Sequence, residues 1–148
     1  LLTCRIAAHH FLDLGKAVAE WRRVLAPEAV LILADTTCPE DAATADWMND
    51  IEGRRDPSHI LNLSPSEWLA LLDANGFQTT DSTLTSVPHD FDDWVRRSGT
   101  PTAVVEGLRH DLLNAPPGAV EAFDISQEKS GIIHFKWACV VVRAIRGA

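Results

Sequence analysis

Two mostly apolar runs, separated by a stretch with apolar residues at helical spacing, dominate the first part of the chain. The runs, Leu1–Ala8 and Ala29–Ala34, predict strands that are covered on both faces. Between them, Asp13 can cap a helix that ends before Pro27. A strand, a helix and a strand within about 35 residues predict a βαβ unit with parallel strands and a right-handed crossover.

Helix start and stop signals follow the second strand. A short helix is predicted over Ala42–Gly53. Ser64 is the expected N-cap of the next helix, with Pro65 at its first position and Glu67 completing a capping box. Gly76 is a good terminator of that helix.

The second half of the chain combines strands with a further helical segment. Phe77–Val87 predicts a strand, and Asp90 precedes a short helix. Another helix starts near Thr100 and should be broken at Pro116. Ile132–Ile145 then predicts a long strand. Two strands that flank a helical insertion predict an antiparallel pair.

Length, charge and cysteines narrow the class of protein. A chain of 148 residues suits one domain, 1–148, with insertions expected near 36–63 and 88–118. The net charge of −8 and the lack of a basic cluster argue against a nucleic-acid partner. The three cysteines, Cys4, Cys38 and Cys139, are widely spaced, as in reduced cytoplasmic proteins, and no metal site is expected. No apolar run has the length of a membrane helix, so no membrane partner is expected.

A set of short segments is more specific in its order and spacing than any one segment is alone. They are Cys4–Phe11, Arg23–Pro27, Asp35, Pro39–Asp41, Arg55–His59, Glu67–Trp68 and Asn75–Phe77. Together they resemble the second half of a class I S-adenosylmethionine-dependent methyltransferase of the type 11, ubiquinone/menaquinone-biosynthesis-like group. The resemblance implies an α/β fold with a partial Rossmann-like sheet, strands four to seven, the last pair antiparallel. It also implies S-adenosylmethionine as cofactor and a small-molecule methyl acceptor.

The cofactor elements of that family are incomplete in this sequence. Its glycine-rich loop has no match, because the glycines here are isolated. Its ribose-binding acidic residue has no match either. The remaining cofactor wall implied by the resemblance consists of Arg5, Ile6, Ala7 and His10. The chain also begins within a strand and without Met, which predicts a carboxyl-terminal half that binds the cofactor weakly and is inactive alone.

Histidines and an aspartate are the candidates for the chemistry. His9 and His10 would face cofactor and substrate, where a neutral imidazole can accept a proton, or they simply hydrogen-bond the loop. Asp35 closes the second strand and can orient substrate, or it is an ordinary turn residue. Asp56 and His59 are predicted as a hydrogen-bonded pair lining the substrate pocket, although Asp56 before a proline also suits a plain turn.

Further candidates lie in the insertions and at one turn. Trp94 is expected to cover the substrate, or else to belong to the core. Glu28 stands where the family usually has glycine, so the turn after Pro27 should be altered or strained.

Two rival functions remain open, together with a prediction about association. The rivals are a non-catalytic relic or interaction module of the same fold, and half of a dehydrogenase. The Leu1–Ala8 strand would lack a partner on one side, which predicts self-association through the open sheet edge.

Overall fold

The computed structural model describes residues 1–148 and contains an open five-stranded sheet with helices packed against it. The strands are β1 (Leu2–Arg5), β2 (Val30–Thr37), β3 (Phe77–Asp90), β4 (Ser126–Gln127) and β5 (Ile133–Arg146). The helices are α1 (Leu14–Val24), α2 (Ala42–Arg55), α3 (Pro65–Ala74), α4 (Phe91–Arg97), α5 (Thr102–Leu113) and α6 (Pro117–Phe123), and a short 3₁₀ helix covers Ala8–His10.

The strand order is β1-β2-β5-β3, with β4 alongside β5. β1 and β2 are parallel, as the βαβ pattern predicts, and β5 is antiparallel to both β2 and β3. The α/β fold with an antiparallel last pair is therefore confirmed. β5 is the central strand of the sheet, because it pairs with β3 along almost its full length and with β2 on its other side.

Local signals in the sequence explain where most helices begin and end. Asp13 caps α1 by accepting a hydrogen bond from the Lys16 N–H. Ser64 and Glu67 form the predicted capping box of α3, and the chain leaves that helix through Gly76 at a φ of 73°. A positive φ costs glycine little, and this explains why the helix ends there.

Two apolar clusters use opposite faces of β5. Side chains of Val140, Val142 and Ala144 pack with α1 and α3, and those of Phe135 and Trp137 pack with α2 and α4–α6. Alternate residues of a strand point to opposite faces, so the odd and even positions of β5 separate the two clusters. The polar cavity described below lies where the loop after β1 meets the second cluster.

Two sequence-based boundaries were wrong, and a third was incomplete. The Leu1–Ala8 strand ends at Arg5, because Ile6 turns the chain with a φ of 47° and Ala8 belongs to the 3₁₀ helix. β2 does not close at Asp35 but continues to Thr37, pairing with β5 throughout. At the third boundary the predicted break is confirmed, because α5 ends at Leu113, but a further helix that was not predicted, α6, begins directly after Pro116.

The sheet has two open edges, at β1 and at β3. β1 pairs only with β2, so the row of backbone groups on its other side has no strand partner. Of the two predicted insertions, 36–63 contains α2 and the loop before α3, and 88–118 contains α4 and α5. Self-association across the β1 edge stays a prediction.

Candidate functional site

The loop after β1 is held in a strained conformation. Ile6 has a φ of 47°, in the left-handed region that a β-branched residue rarely adopts. Its N–H donates to the Ala34 carbonyl at 2.8 Å, which continues the β1–β2 ladder by one residue. Strain of this kind persists only when surrounding contacts impose it, and it is concentrated at functional sites.

Asp35 provides those contacts from beneath the loop. Its side chain is fully buried, and Oδ2 accepts hydrogen bonds from the N–H groups of Ala8 at 2.7 Å and His9 at 3.2 Å. Its Oδ1 lies 2.5 Å from His9 Nδ1 and also accepts from the Thr36 N–H. The carboxylate therefore fixes both the loop and the ring of His9, whose Nε2 makes no hydrogen bond within the chain.

A cavity of about 340 Å³ opens above this loop, and we call it the His9 cavity. It is bounded by the loop after β1, by α2, by the loop around His59, and by the ends of β3, α4 and β5. Of the residues predicted from sequence, the ones lining it are Arg5, Ile6, His9, His59 and Trp94. The fold thus brings predicted cofactor, catalytic and substrate residues to one space.

Other predicted residues lie next to the cavity but do not line it. Ala7 precedes the 3₁₀ helix, and His10 turns its Nδ1 to Ser58, 3.0 Å from the carbonyl oxygen and 3.1 Å from Oγ. Asp35 lies below the floor, so the structure gives it a positioning role through His9 rather than the predicted direct contact with substrate.

The predicted hydrogen-bonded pair of Asp56 and His59 side chains is absent. The Asp56 carboxylate instead accepts from the N–H of Ser58 at 2.9 Å and its Oγ at 2.7 Å, which is the turn chemistry of an Asp before proline. His59 Nε2 pairs with Asn49 Oδ1 at 3.0 Å. The family resemblance suggested the pair, but the tight turn directs the two side chains to different partners.

Several lining residues were not identified from the sequence. They are Glu52 on α2, Asn62 in the following loop and His89 at the end of β3. Two further lining residues, Arg55 on α2 and Arg97 on α4, lie in a family-like segment and in the second predicted insertion, respectively. His89 has no partner at metal-ligand spacing in the sequence and lies in none of the family-like segments. Only its place at the end of a strand, beside a predicted insertion, could have indicated the site.

Two cavity histidines are neutral at physiological pH. Burial, reinforced by the nearby His9 and His10, lowers the pKa of His59 to about 4. Burial and the adjacent Arg97 guanidinium likewise lower the pKa of His89 to about 4. His59 and His89 therefore present uncharged rings to the cavity, and the ring centroids of His9 and His59 lie 5.8 Å apart.

Trp94 belongs to both of the roles that the sequence left open. Its side chain is only 1% exposed and packs in the aromatic cluster, edge-on to Phe135 at 5.1 Å. It also lines the cavity, and its Nε1 is buried without a hydrogen-bond partner. Trp94 is therefore a core residue whose side chain also forms part of the cavity wall.

An apolar groove of about 400 Å³ lies between the start of α1 and α3. Glu67 is its single charged residue, and the carboxylate of Glu67 already accepts the Ser64 N–H. The groove therefore offers no group for acid–base work, whereas the His9 cavity does. No three His, Cys, Asp or Glu side chains are grouped to hold a metal ion, and none of the helices is long and apolar enough to cross a membrane.

Known proteins resemble the chain in both sequence and fold. No family model matches it. The uncharacterized methyltransferase YcgJ of Bacillus subtilis is 35% identical over 147 residues, which cover 99% of this chain and 58% of YcgJ. The crystal structure of YcgJ superimposes with a TM-score of 0.90 at 34% identity, covering 99% of this chain and 64% of that one.

Further solved structures extend the comparison. A candidate methyltransferase of Bacillus halodurans, BH2331, is 30% identical with a TM-score of 0.93, covering 99% of this chain and 70% of its own. Geranyl diphosphate C-methyltransferase from Streptomyces coelicolor, solved with Mg²⁺, geranyl diphosphate and S-adenosyl-L-homocysteine, has a TM-score of 0.51 at 12% identity. It covers 97% of this chain and 46% of its own, and at this identity it shows only a shared fold. On the similarity to BH2331 and YcgJ, this chain belongs to the methyltransferase family.

Proposed function

We propose that this chain is part of an enzyme that transfers a methyl group from S-adenosylmethionine to a small molecule in the His9 cavity. The observation that carries the proposal is His9, whose Nδ1 is fixed by the buried Asp35 while Nε2 has no partner in the chain. Family membership supports methyl transfer, and a cavity of about 340 Å³ has the size of a small-molecule pocket.

His9 is suited to the role of general base. A neutral imidazole that donates Nδ1–H to a carboxylate carries its lone pair on Nε2, which can accept a proton from a hydroxyl, amine or carbon acid of the acceptor. The buried Asp35 then stabilises the imidazolium that forms and keeps the ring in place. The hydrogen bonds from the Ala8 and His9 N–H groups hold that carboxylate rigidly.

Arg5, Ile6, Ala7 and His10 would hold the cofactor along the loop after β1. Arg5 fits this role because its side chain lines the cavity and makes neither an ion pair nor a hydrogen bond within the chain, so it is available to a carboxylate. When bound, S-adenosylmethionine supplies an activated methyl group, whose transfer depends mainly on alignment. The S-adenosyl-L-homocysteine bound to the Streptomyces coelicolor enzyme supports this choice of cofactor.

The same features weigh against a non-catalytic module. An interaction domain has no need of a left-handed isoleucine or of a histidine held by a buried carboxylate, because both raise the free energy of folding without adding surface. The chain alone, which spans 58% of YcgJ and lacks a glycine-rich loop, should bind the cofactor no better than about millimolar and be inactive.

Calorimetry and labelled methyl transfer test the proposal. S-adenosyl-L-homocysteine is titrated into this chain and into a version extended upstream of Leu1, and both are then incubated with methyl-labelled S-adenosylmethionine and a small-molecule extract. We expect tight binding and labelled product from the extended version, with the product lost in His9→Asn and kept in His134→Asn, a substitution outside the cavity. An extended version that fails to bind S-adenosyl-L-homocysteine would contradict the proposal.

A further inference from the structure

We infer that the methyl acceptor is an anion, a small molecule whose carboxylate or phosphate group is bound by Arg55 and Arg97 in the His9 cavity. The inference rests on the proposed function, because it treats this cavity as the acceptor site. Both guanidinium groups line the cavity on the side formed by α2 and α4, across from the loop assigned to the cofactor.

The charge of the cavity contrasts with that of the chain. Three arginines, Arg5, Arg55 and Arg97, line it together with one acidic residue, Glu52. The whole chain carries a net charge of −8, with 21 acidic and 13 basic residues. The cavity is concave and positively charged, whereas the chain as a whole is negatively charged. The electric field of the cavity therefore attracts ligands of opposite charge, here anions.

Arg55 is fixed in position but keeps free hydrogen-bond donors. Its side chain is 17% exposed, Nη1 lies 3.1 Å from Glu52 Oε2, and Nε donates to the Trp94 carbonyl at 3.3 Å. Its guanidinium carbon also stands 4.9 Å from the centre of the Trp94 ring. Nη2 makes no hydrogen bond within the chain, so a preorganised guanidinium presents a donor to the cavity.

Arg97 offers a second guanidinium from α4. Its Nε pairs with Asp93 at 2.9 Å, and its Nη2 donates to His89 Nδ1 at 3.1 Å. Its Nη1 has no partner in the chain. Because a neutral His89 accepts this hydrogen bond, the ring orients Arg97 without adding charge of its own.

Buried polar atoms without partners surround the same space. They are Nε1 of Trp94 and of Trp137 and both amide atoms of Asn62, and all three residues line the cavity. Buried polar atoms are normally hydrogen-bonded, so unpaired ones in three residues that line one cavity favour a ligand that pairs with them. Three of these four atoms are donors, and donors match the oxygen atoms of an anion.

A cationic acceptor fits this site poorly. Glu52 is the single carboxylate among the lining residues, and it is already paired with Arg55. An ammonium group would lie near guanidinium groups without a free carboxylate to compensate, which is unfavourable in a partly buried site.

Binding of matched probes tests the inference without methyl transfer. Phenyl phosphate is compared with phenol, and benzoate with benzamide, by titrating each into this chain and following its five indole N–H signals by NMR. We expect the anions to shift the signals of Trp94 and Trp137 and to leave Trp68, whose Nε1 is also buried and unpaired but lies outside the cavity, unchanged. The neutral probes should bind at least about tenfold more weakly.

Neighbouring arginines provide the matched variants. Arg97→Gln should weaken phenyl phosphate binding about tenfold, whereas Arg96→Gln removes the same charge from the same helix, also paired with Asp93, and should change it less than about twofold. Arg55→Lys keeps the positive charge but loses the planar set of guanidinium N–H donors, so it should weaken binding as well.

Two results would overturn the inference. One is that neither anion shifts the two indole signals at about 10 mM, and the other is that the anions and their neutral analogues bind equally. These results are distinct from failure of the proposed function. If the protein binds the anions but transfers no methyl group, only the enzyme assignment is contradicted. If it transfers a methyl group to a neutral acceptor, only the anion site is contradicted.

Discussion

Asp35 Oδ1 lies 2.5 Å from His9 Nδ1, and the other oxygen of the same carboxylate accepts the N–H of His9 itself. One buried residue on β2 therefore fixes both the backbone and the ring of a residue in the loop after β1. Parallel pairing of the two strands is what brings them together, since Arg5 is opposite Ala34 and the loop leaves β1 directly above Asp35.

Replacing Asp35 should change the tautomer of His9. In the native chain neutral His9 should carry its proton on Nδ1, and Asp35→Asn should remove this preference because an amide is a weaker acceptor than a carboxylate. The free energy of unfolding should also fall by about 1–3 kcal/mol, because buried N–H groups lose an acceptor. Long-range ¹H–¹⁵N NMR and urea denaturation measure the two effects.

Asp56→Asn is the control for that prediction, because it is the same substitution of an aspartate by asparagine, made in a turn outside the cavity floor. It should leave the His9 tautomer as it is. A native His9 that carries its proton on Nε2 would show that Asp35 does not set the ring.

The histidines with lowered pKa values predict how stability depends on pH. His59 and His89 have pKa values of about 4 in the folded chain and a usual value of 6.5, so the unfolded chain binds more protons between these limits. Stability should therefore be complete above pH 6.5 and decrease as the pH falls towards 4.

Denaturation with urea at several pH values measures this dependence. His59→Gln and His89→Gln should each flatten the decrease between pH 6.5 and 4, because glutamine does not titrate. An unchanged profile in both cavity variants would mean that the pKa values of the two rings are the same in the folded and the unfolded chain.

Local signals in the sequence account for much of this fold. The capping box at Ser64 and the glycine at 76 act on their own neighbours, so their effects can be read from adjacent residues. The strand ending at Arg5 was predicted too long because Leu1–Ala8 is mostly apolar, and the 3₁₀ helix after the turn at Ile6 is held by Asp35, 27 positions from Ala8. The sequence pattern contains no sign of that distant contact.

The site was less predictable than the fold for the same reason. His9, Arg5, Ile6 and His59 were found because they follow strands or match family segments, and they do line the cavity. His89 and the guanidinium groups come from α2, β3 and α4, and Asn62 comes from the loop after α2. The packing of these elements over the loop after β1 depends on the aromatic cluster around Trp137. Contacts between distant elements, such as Arg55 over Trp94, are decided by tertiary packing.

The capping box of α3 should contribute measurably to stability. Ser64 Oγ accepts the Glu67 N–H at 3.3 Å, and Glu67 Oε2 accepts the Ser64 N–H at 2.7 Å. Ser64→Ala should lower the free energy of unfolding by about 1 kcal/mol and the melting temperature by a few degrees. Ser86→Ala, at an exposed position of β3, should have little effect in the same thermal melt. Equal melting temperatures for both variants would contradict the assigned helix start.

The free edge of β1 should cause self-association. β1 is short, carries neither lysine nor proline, and pairs on only one side. Such edges tend to pair with another chain, so we propose a two-fold dimer of this chain at micromolar concentration. Sedimentation equilibrium measures it. The Ile6 N–H points to β2 and N–H groups alternate in direction along a strand, so the Thr3 N–H points to the free side, and Thr3→Pro should shift the equilibrium to monomer. A native chain that sediments as a 16.2 kDa monomer would exclude this interface.

The turn before β2 should be more stable with glycine than with any other small residue. Glu28 has a φ of 63°, so the strain predicted from the missing glycine is present, and its N–H donates to the Arg146 carbonyl at 3.0 Å. Because Glu28 is exposed, its side chain can be changed without disturbing the core. Glu28→Gly should be about 1 kcal/mol more stable than Glu28→Ala, since alanine keeps the Cβ that is unfavourable at positive φ.

At Thr83, an exposed strand position, the order should reverse, with alanine more stable than glycine. Urea denaturation of the four variants measures both differences, and the same order at both positions would show that residue 28 does not hold a left-handed conformation in solution.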